Sequence, residues 1–380
     1  MSCSKLETDG LDGDARFDFD VVVVGASFAG AACALAAREA GLRVCVLERK
    51  HDPGIRLHTT GIIVAEAFSQ TRLGRMPPPL FRRVPRVRLY APSLDSLQLQ
   101  ADDYAFLTTD TPNVLRWLAI EMREAGVDLR LMQSFTDAQR DGIGWQIAGL
   151  GSTRWLIGAD GAKSRVAQRA GLGLVDAFLY GVEHEFHGVT LAEPDALHCF
   201  ISRTLAPGYI GWAAQSPTGV QLGLAFRHRA DRHGVPDIDR FRAHVGERLG
   251  LPSRLQPDAT RAGLIPCGGP VERLAAPGVI LTGDAAGIVS PLTAGGIHSA
   301  WAHGEAIGRA IAQHRLGADI APEGIAETAA PRFRVKRCLR WAFDHLQMDW
   351  PVNLLLHAPL LRRAAEQVYF HRRGRRRASA

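Results

Sequence analysis

The chain has 380 residues, with 45 Lys+Arg against 39 Asp+Glu for a net charge of +6, and a hydrophobic fraction of 46%; its mean hydropathy is −0.04. Such a length holds a large core and sets an expectation of two domains, and no uninterrupted apolar run nears the ~18 residues that cross a bilayer. Six cysteines at 3, 33, 45, 199, 267 and 338 show no C-x-x-C or zinc spacing, so no metal site is expected and a reducing cytoplasm fits.

Residues 1–18 are polar and acidic, without secretory character, and read as a disordered lead-in. The valine run 21–24 predicts a buried parallel strand ending at Gly25, where the chain turns sharply. Ser27, Phe28 and Ala29 then lead to Gly30 and a helix over about 29–40, stopped by Gly41. Gly25 and Gly30 allow the tight turn and close helix–strand packing, so the N–H groups of the helix start face a pyrophosphate; Ser27 holds the middle glycine position of the G-x-G-x-x-G pattern. Glu48 ends the next strand (44–48), placed to accept both hydroxyls of a ribose, with Arg49 beside the adenosine. A strand–helix–strand unit with no ligand is the bland alternative.

Residues 51–78 form a loop-rich approach to the ligand, including Arg56, before a Pro77-Pro78-Pro79 break. Short alternating runs over 83–105 suit antiparallel strands. Thr111 as N-cap and Pro112 as first helical residue open a helix over 112–125, followed by a strand at 127–131. Asp141-Gly142 marks a hairpin before strands at 145–147 and 154–157. Residues 179–264 give a second excursion of strands, expected to join the first in one sheet over the ligand. Within it Tyr209 and Trp212 sit three apart; a regular strand points them to opposite faces, and Gly211 is the place for a bulge that would bring them together. The alternative for Trp212 is a plain core role.

A third apolar strand, 279–282, ends in Gly283-Asp284, placing a carboxylate at a strand's C-terminal edge. Gly295-Gly296 then opens another helix through Ile297. A helix N-terminus there would stabilise the negative charge of a reduced flavin ring, so this segment points to FAD rather than NAD. Beyond it, residues 332–346 read as an amphipathic helix, Trp350-Pro351 as a break, and 352–361 as leucine-rich chain running to the polybasic tail 371–377. Two readings stay open for this end: an interfacial membrane anchor, or a helical cap on the substrate cavity with a solubilising tail. Nucleic-acid binding is not expected, since the charge excess lies in the tail rather than on an aromatic platform.

The stretch Ile265-Pro266-Cys267-Gly268-Gly269-Pro270, the Gly283-Asp284 segment, Pro291-Leu292-Thr293 and Gly295-Gly296 resemble the geranylgeranyl reductase family of FAD-dependent oxidoreductases, which share the para-hydroxybenzoate hydroxylase fold. The resemblance covers roughly residues 19–310. It extends to Asp160-Gly161, similar to an Asp-Gly motif linked in that group to FAD and NAD(P)H, and to Pro207–Trp212, close to the reductases' substrate-cavity motif. Implied are FAD held by Gly25, Ser27, Phe28, Ala29, Gly30, Glu48, Arg49, Arg56, Asp160, Gly283, Asp284, Gly295, Gly296 and Ile297, and a substrate touching Tyr209 and Trp212. The loop from Arg56 to Gly61 lacks the cysteine of archaeal members, so a catalytic thiol is not implied. Arg116 stands one turn beyond the position where the group tends to carry an arginine, and its contact with the pyrophosphate stays open. His58 and His298, near the flavin segments, read as hydrogen-bonding structural groups.

The expected architecture is α/β: a Rossmann-like FAD-binding domain (19–82, 105–178 and 265–320), an inserted antiparallel β-sheet substrate domain (83–104 and 179–264), C-terminal helices (321–370) and a basic tail (371–380). The expected activity is NAD(P)H-driven reduction of carbon–carbon double bonds in a prenyl or related lipid, in the cytoplasm with peripheral membrane contact. The alternative is a flavin-dependent monooxygenase acting on an apolar or aromatic substrate.

Overall fold

Residues 17–229 and 234–370 are described by the computed structural model of the chain; most of the acidic lead-in and all of the basic tail lie outside them. The valine run becomes β1 (Phe19–Val24), followed by α1 (Phe28–Glu39) and β2 (Val44–Glu48). Residues 51–78 are not purely loop, since they contain the short helix α2 (Ala65–Gln70). Next come β3 (Phe81–Val84), β4 (Arg86–Tyr90), β5 (Ser96–Gln100) and β6 (Phe106–Thr109). Helix α3 (Thr111–Glu124) is capped by Asp110, which accepts from the Asn113 N–H at 3.3 Å. Thr111 is therefore not the cap expected of it. An aspartate one residue earlier outcompetes it, and the Thr111 hydroxyl is left to donate to the Thr60 carbonyl.

The chain continues through β7 (Asp128–Leu131), the hairpin β8 (Ala138–Asp141) and β9 (Gly144–Ile147) turning at Asp141-Gly142, β10 (Gly151–Gly158) and α4 (Arg165–Arg169). The second excursion holds β11 (Phe178–His187), β12 (Ala196–Ile201), β13 (Ile210–Gln215) and β14 (Gly219–His228). Helix α5 (Ile238–Leu249), absent from the strand-only expectation, precedes β15 (Ala259–Pro266). Then follow β16 (Ala275–Ala276), β17 (Val279–Leu281), α6 (Ile297–Arg315), α7 (Pro322–Ala329), α8 (Arg334–Leu346), α9 (Asp349–Leu355) and α10 (Pro359–Phe370). Trp350-Pro351 does not break the pattern. Proline lacks only an N–H that a first helical turn leaves unpaired, so it opens α9, and the break falls at Gln347-Met348 instead.

One sheet runs β16-β17-β10-β1-β2-β7, with β17, β10, β1, β2 and β7 parallel. Val21 and Val23 enter the core beneath α1, α3 and α6, while Val22 and Val24 enter the opposite core. A strand buried on both faces reads as an unbroken apolar run, and each valine taken wholly from water contributes about 1.5–3 kcal/mol. The second sheet, β15-β11-β14-β13-β12-β4-β5, joins strands from both excursions, whereas β3 and β6 pair separately. Helix α5 covers one face of this sheet, with Phe241 and Val245 against Phe200, Leu222 and Leu224. The other face turns toward the loop after β2 and the segment before α6, where Ile62 and Ala294 pack with Trp212.

Candidate cofactor and substrate site

At the end of β1, Gly25 adopts φ +107°, and a Cβ on it would lie 2.3 Å from the Ala159 carbonyl oxygen. A Cβ on Gly30 would lie 1.9 Å from the Gly25 carbonyl oxygen. Both positions therefore require glycine, and together they bring the start of α1 onto the sheet edge. Ser27 sits exposed at the N-cap without a capping side-chain bond, and the first turn, including buried Phe28 and Ala29, contains no acid. The free N–H groups of that turn carry the positive end of the helix dipole, roughly half an elementary charge. The Glu48 carboxylate is fixed at the end of β2 by the N–H groups of Ala26 (3.3 Å) and Lys50 (3.0 Å). Arg49 and Arg56 are exposed beside this edge, Arg56 at φ +48°.

The distant second half arrives next to the first. Gly283, at φ +62°, lies so close to α1 that a Cβ would meet Ala29 Cβ at 2.8 Å. Gly304 and Gly308 of α6 hold that helix against α1, where Cβ atoms would fall 2.2 Å from the Ala29 oxygen and 2.4 Å from the Cys33 oxygen. Contacts that ascend both chains together mean that the helices run in the same sense, with their N-termini at one end. The α6 N-terminus, at Gly295, Gly296 and Ile297, has no side-chain cap and no acid in its first turn. Asp284 follows the β17 strand end in a short turn, and its side chain is open to solvent. The surrounding burial pushes its carboxyl up to about 6, opposed by His58.

Two side chains are committed elsewhere. The Asp160 carboxylate accepts from Ser164 Oγ (2.6 Å) and the N–H groups of Arg165 (2.7 Å) and Val166 (3.2 Å), so it shapes the turn into α4. Its backbone, not its carboxylate, adjoins Gly25. Arg116 is bound to Asp52 at 2.6 Å and to Asn113, which occupies its guanidinium. His58 Nδ1 lies 3.0 Å from the Ala262 oxygen.

On the second sheet, Tyr209 and Trp212 do share one apolar cluster, with Leu179, Ala225 and Cys267. No bulge achieves this: the pairing of Gly211 with Phe200 and Leu224 is uninterrupted. Tyr209 precedes the strand and turns with the Ala206–Tyr209 loop, while Gly211 faces the opposite side, where a Cβ would strike the Phe241 ring at 2.3 Å. The register aligns Arg261, Glu183, Gly223, Trp212 and Cys199 in one row across five strands. The Trp212 ring lies across Gly223, where a Cβ would be 2.1 Å away, and its Nε1 donates to Glu183 Oε2 at 2.9 Å. Gly181 and Gly263 flank that row on the same face; the first leaves space beside Trp212 and the second faces His58. Arg261 Nη1 and Gln221 Nε2 donate to the carbonyls of Thr59 (2.9 Å) and Thr60 (3.0 Å), tying this face to the loop after β2. Glu183, Arg261 and Gln221 were not singled out in the sequence, where β11 reads as an apolar start followed by Glu183-His184-Glu185, with no mark of which face is covered.

The C-terminal helices close over this face. Gln347 and Asp349 accept from the N–H groups of Gly208 and Arg203, each at 2.6 Å, and Arg340 donates to the Gly208 carbonyl. Leu356, Ala365 and Phe370 enter the cluster formed with Leu89, Leu99 and Cys199.

Two close helix N-termini, a fixed acid at the end of β2 and a glycine-cradled turn make a donor and acceptor set that fits the pyrophosphate and ribose of FAD. A family described as FAD dependent oxidoreductase matches residues 20–107, and one described as FAD binding domain matches residues 112–319. This is an FAD-dependent oxidoreductase with a Rossmann-type cofactor fold. Digeranylgeranylglycerophospholipid reductase 2 of Methanopyrus kandleri is 31% identical over 336 residues, which span 84% of this chain and 81% of that protein. Its counterpart in Methanocaldococcus jannaschii is 28% identical across 74% of each chain. The chain belongs to the geranylgeranyl reductase family. Among solved structures, a geranylgeranyl bacteriochlorophyll reductase-like protein of Thermoplasma acidophilum superposes with a TM-score of 0.78 at 18% identity, covering 93% of this chain and 97% of that one. A p-nitrophenol 4-monooxygenase of Pseudomonas putida shares the fold as well, with a TM-score of 0.67 at 17% identity and 94% and 99% coverage.

Proposed function

We propose that this protein uses NAD(P)H to reduce carbon–carbon double bonds in a prenyl-chain lipid. The observation that carries the proposal is the face of the second sheet where Gly181 and Gly263 flank Trp212, which shares an apolar cluster with Tyr209, turned toward the loop after β2; the names of the relatives agree with it. FAD, when bound, supplies hydride for such a reduction. In this chain the N–H groups at Ser27–Gly30 would hold its pyrophosphate, Glu48 its ribose and Asp284 a hydroxyl of its linker. Arg49 and Arg56 would flank the adenosine and the flavin approach, and the α6 N-terminus at Gly295–Ile297 would stabilise negative charge on the reduced ring. Asp160 would act through the turn it shapes. No second glycine-rich βαβ pattern occurs in the sequence, so the nicotinamide is expected to bind transiently at the flavin face.

Peripheral contact with an anionic membrane belongs to the same proposal. Among the described residues no helix is long and apolar enough to cross a membrane. The C-terminal helices nevertheless leave Val335, Trp341, Trp350, Leu354 and Leu360 between 59% and 79% exposed. Arg332, Arg334, Arg337, Arg362 and Arg363 are exposed among them. Exposed apolar side chains interspersed with bases fit the lipid interface, and they lie on the helices that close over the Tyr209 side of the second sheet.

The test is anaerobic reduction of the FAD-loaded protein, then mixing with a prenyl glycerophospholipid in phosphatidylglycerol vesicles. Reoxidation of the flavin with formation of the saturated chain is expected, weakening as salt rises from about 0.05 to 0.5 M. Turnover of a small soluble aromatic that requires oxygen would move the protein to the monooxygenases.

A further inference from the structure

Reduction of an isolated alkene needs a proton as well as a hydride, and the face of the second sheet that meets the flavin loops holds few groups able to give one. Cys199 is pushed up to about 12 by burial and Tyr209 is pushed up likewise, so both are poor acids there. Glu185 is committed to a close ion pair with Arg261. Glu183 differs from all of these. Its side chain is 4% exposed, its Oε2 accepts from Trp212, and its Oε1 has no hydrogen-bond partner; Arg261 Nη1 comes no closer to it than 3.9 Å. A native protein seldom leaves a buried polar atom unpaired without a use for it.

Resting on the reduction proposed above, we infer that Glu183 is the proton donor to the alkene. Its place fits that role: beside Trp212, on the glycine floor, one side chain away from the Thr59–Thr60 loop. The acid O–H breaks and its proton forms a C–H bond to one alkene carbon, while a hydride from the reduced cofactor forms the C–H bond to the other. The alkene gains two electrons, the cofactor gives them up, and the carboxylate left behind recovers its proton from solvent before the next turnover.

Charge counting explains why this acid keeps its proton to higher pH than an ordinary carboxyl. One guanidinium, Arg261 from β15, serves two carboxyls on β11, and Glu185 takes the close contact. Burial pushes Glu183 up to about 7; Arg261 and the Trp212 N–H oppose the rise, and Glu185 adds to it. The carboxylate formed in the reaction is then met by those same two groups, the guanidinium and the indole N–H. An acid poised near the working pH is the efficient one for proton transfer.

Glu183→Gln keeps an oxygen for the Trp212 N–H and removes the proton. In the apoprotein, infrared difference spectra should show a carboxylic-acid C=O band that disappears as pH rises through about 7 and is absent from E183Q. With FAD bound, anaerobically reduced wild type mixed with a prenyl glycerophospholipid should reoxidise with a solvent deuterium isotope effect. E183Q should keep its FAD and its rate of flavin reduction, yet reoxidise about 100-fold more slowly. Wild-type reoxidation by E183Q, or a Glu183 already ionised well below pH 7, overturns the donor while leaving the reductase intact. A wild type inert toward every prenyl lipid overturns the reduction itself and the donor with it.

Discussion

The edge proposed for the cofactor and the floor proposed for the substrate are both built around glycines, but the glycines act differently. At the cofactor edge, Gly25 and Gly30 meet backbone: the atoms a Cβ would strike are the carbonyl oxygens of Ala159 and Gly25, which cannot swing aside. On the substrate floor, Gly223 meets a side chain, the ring of Trp212, and Gly181 meets only ordinary van der Waals neighbours. The first set fixes one backbone path to which the common part of the ligand is fitted. The second lies against side chains, which can shift, so a change there reshapes the surface rather than the backbone path.

Substitutions at the two sets should therefore part company. The largest effect is expected from Gly30→Val, which drives two methyl groups and a Cβ into the Gly25 carbonyl. FAD retention should be lost, and denaturant titration should show a loss at the upper end of about 1–3 kcal/mol. A yellow, normally stable variant would show that the α1 start can move.

Asp284→Asn should be milder at the same edge. Losing a charged acceptor for one hydroxyl is worth about 1.5–3 kcal/mol, or about 10- to 100-fold in the FAD dissociation constant measured by fluorescence. The pH dependence follows from its raised carboxyl. Below about 4, folded and unfolded chains are both protonated at this residue. Between there and about 6 the unfolded chain ionises first, so wild-type apoprotein loses stability relative to Asp284→Asn as pH rises, and the difference levels off above about 6. FAD binding favours the ionised form, so wild-type affinity should fall as pH drops through about 6 while that of the variant stays flat. Parallel pH profiles would detach Asp284 from the ligand.

The smallest effect on FAD is expected at the floor. Gly223→Ala displaces Trp212 and should lower kcat/KM for the lipid by about 10-fold, the scale of one mispositioned methyl group, with FAD content unchanged. Equal loss of both would mean that the floor and the edge are one mechanical unit.

The local fold of that first edge was largely legible in the sequence because its signals are local. A valine run, glycines at fixed offsets, an acid about twenty residues on and the Gly-Asp strand end each depend on a few neighbouring residues. The seven-stranded sheet was legible in outline only. Its working row, Arg261–Glu183–Gly223–Trp212, exists through pairings across segments up to 78 positions apart, and no local period marks which alternate residues face the flavin loops. The bulge assigned to Gly211 failed for the same reason: the glycine answers to Phe241 of a helix that was not foreseen. Thr111 reads as a good cap by residue type, but the structure gives the bond from the Asn113 N–H to Asp110 one residue earlier. The polar edge of Asp160 was legible as a motif but not in its purpose, because the carboxylate serves its own turn.

The contact of Gly304 and Gly308 with Ala29 and Cys33 also sets when the site can come into being during synthesis. The first half of the cradle leaves the ribosome by Glu48, the second only after Ile297, and a chain grows at about 5–20 residues per second. For a time on the order of tens of seconds, α1 therefore has no glycine-faced helix to lie against, and its partner surface of alanines and Cys33 is uncovered. Contacts of such long sequence separation also slow folding. Cofactor capture can then begin only after the last segment of the cradle has been made, late in the life of the nascent chain.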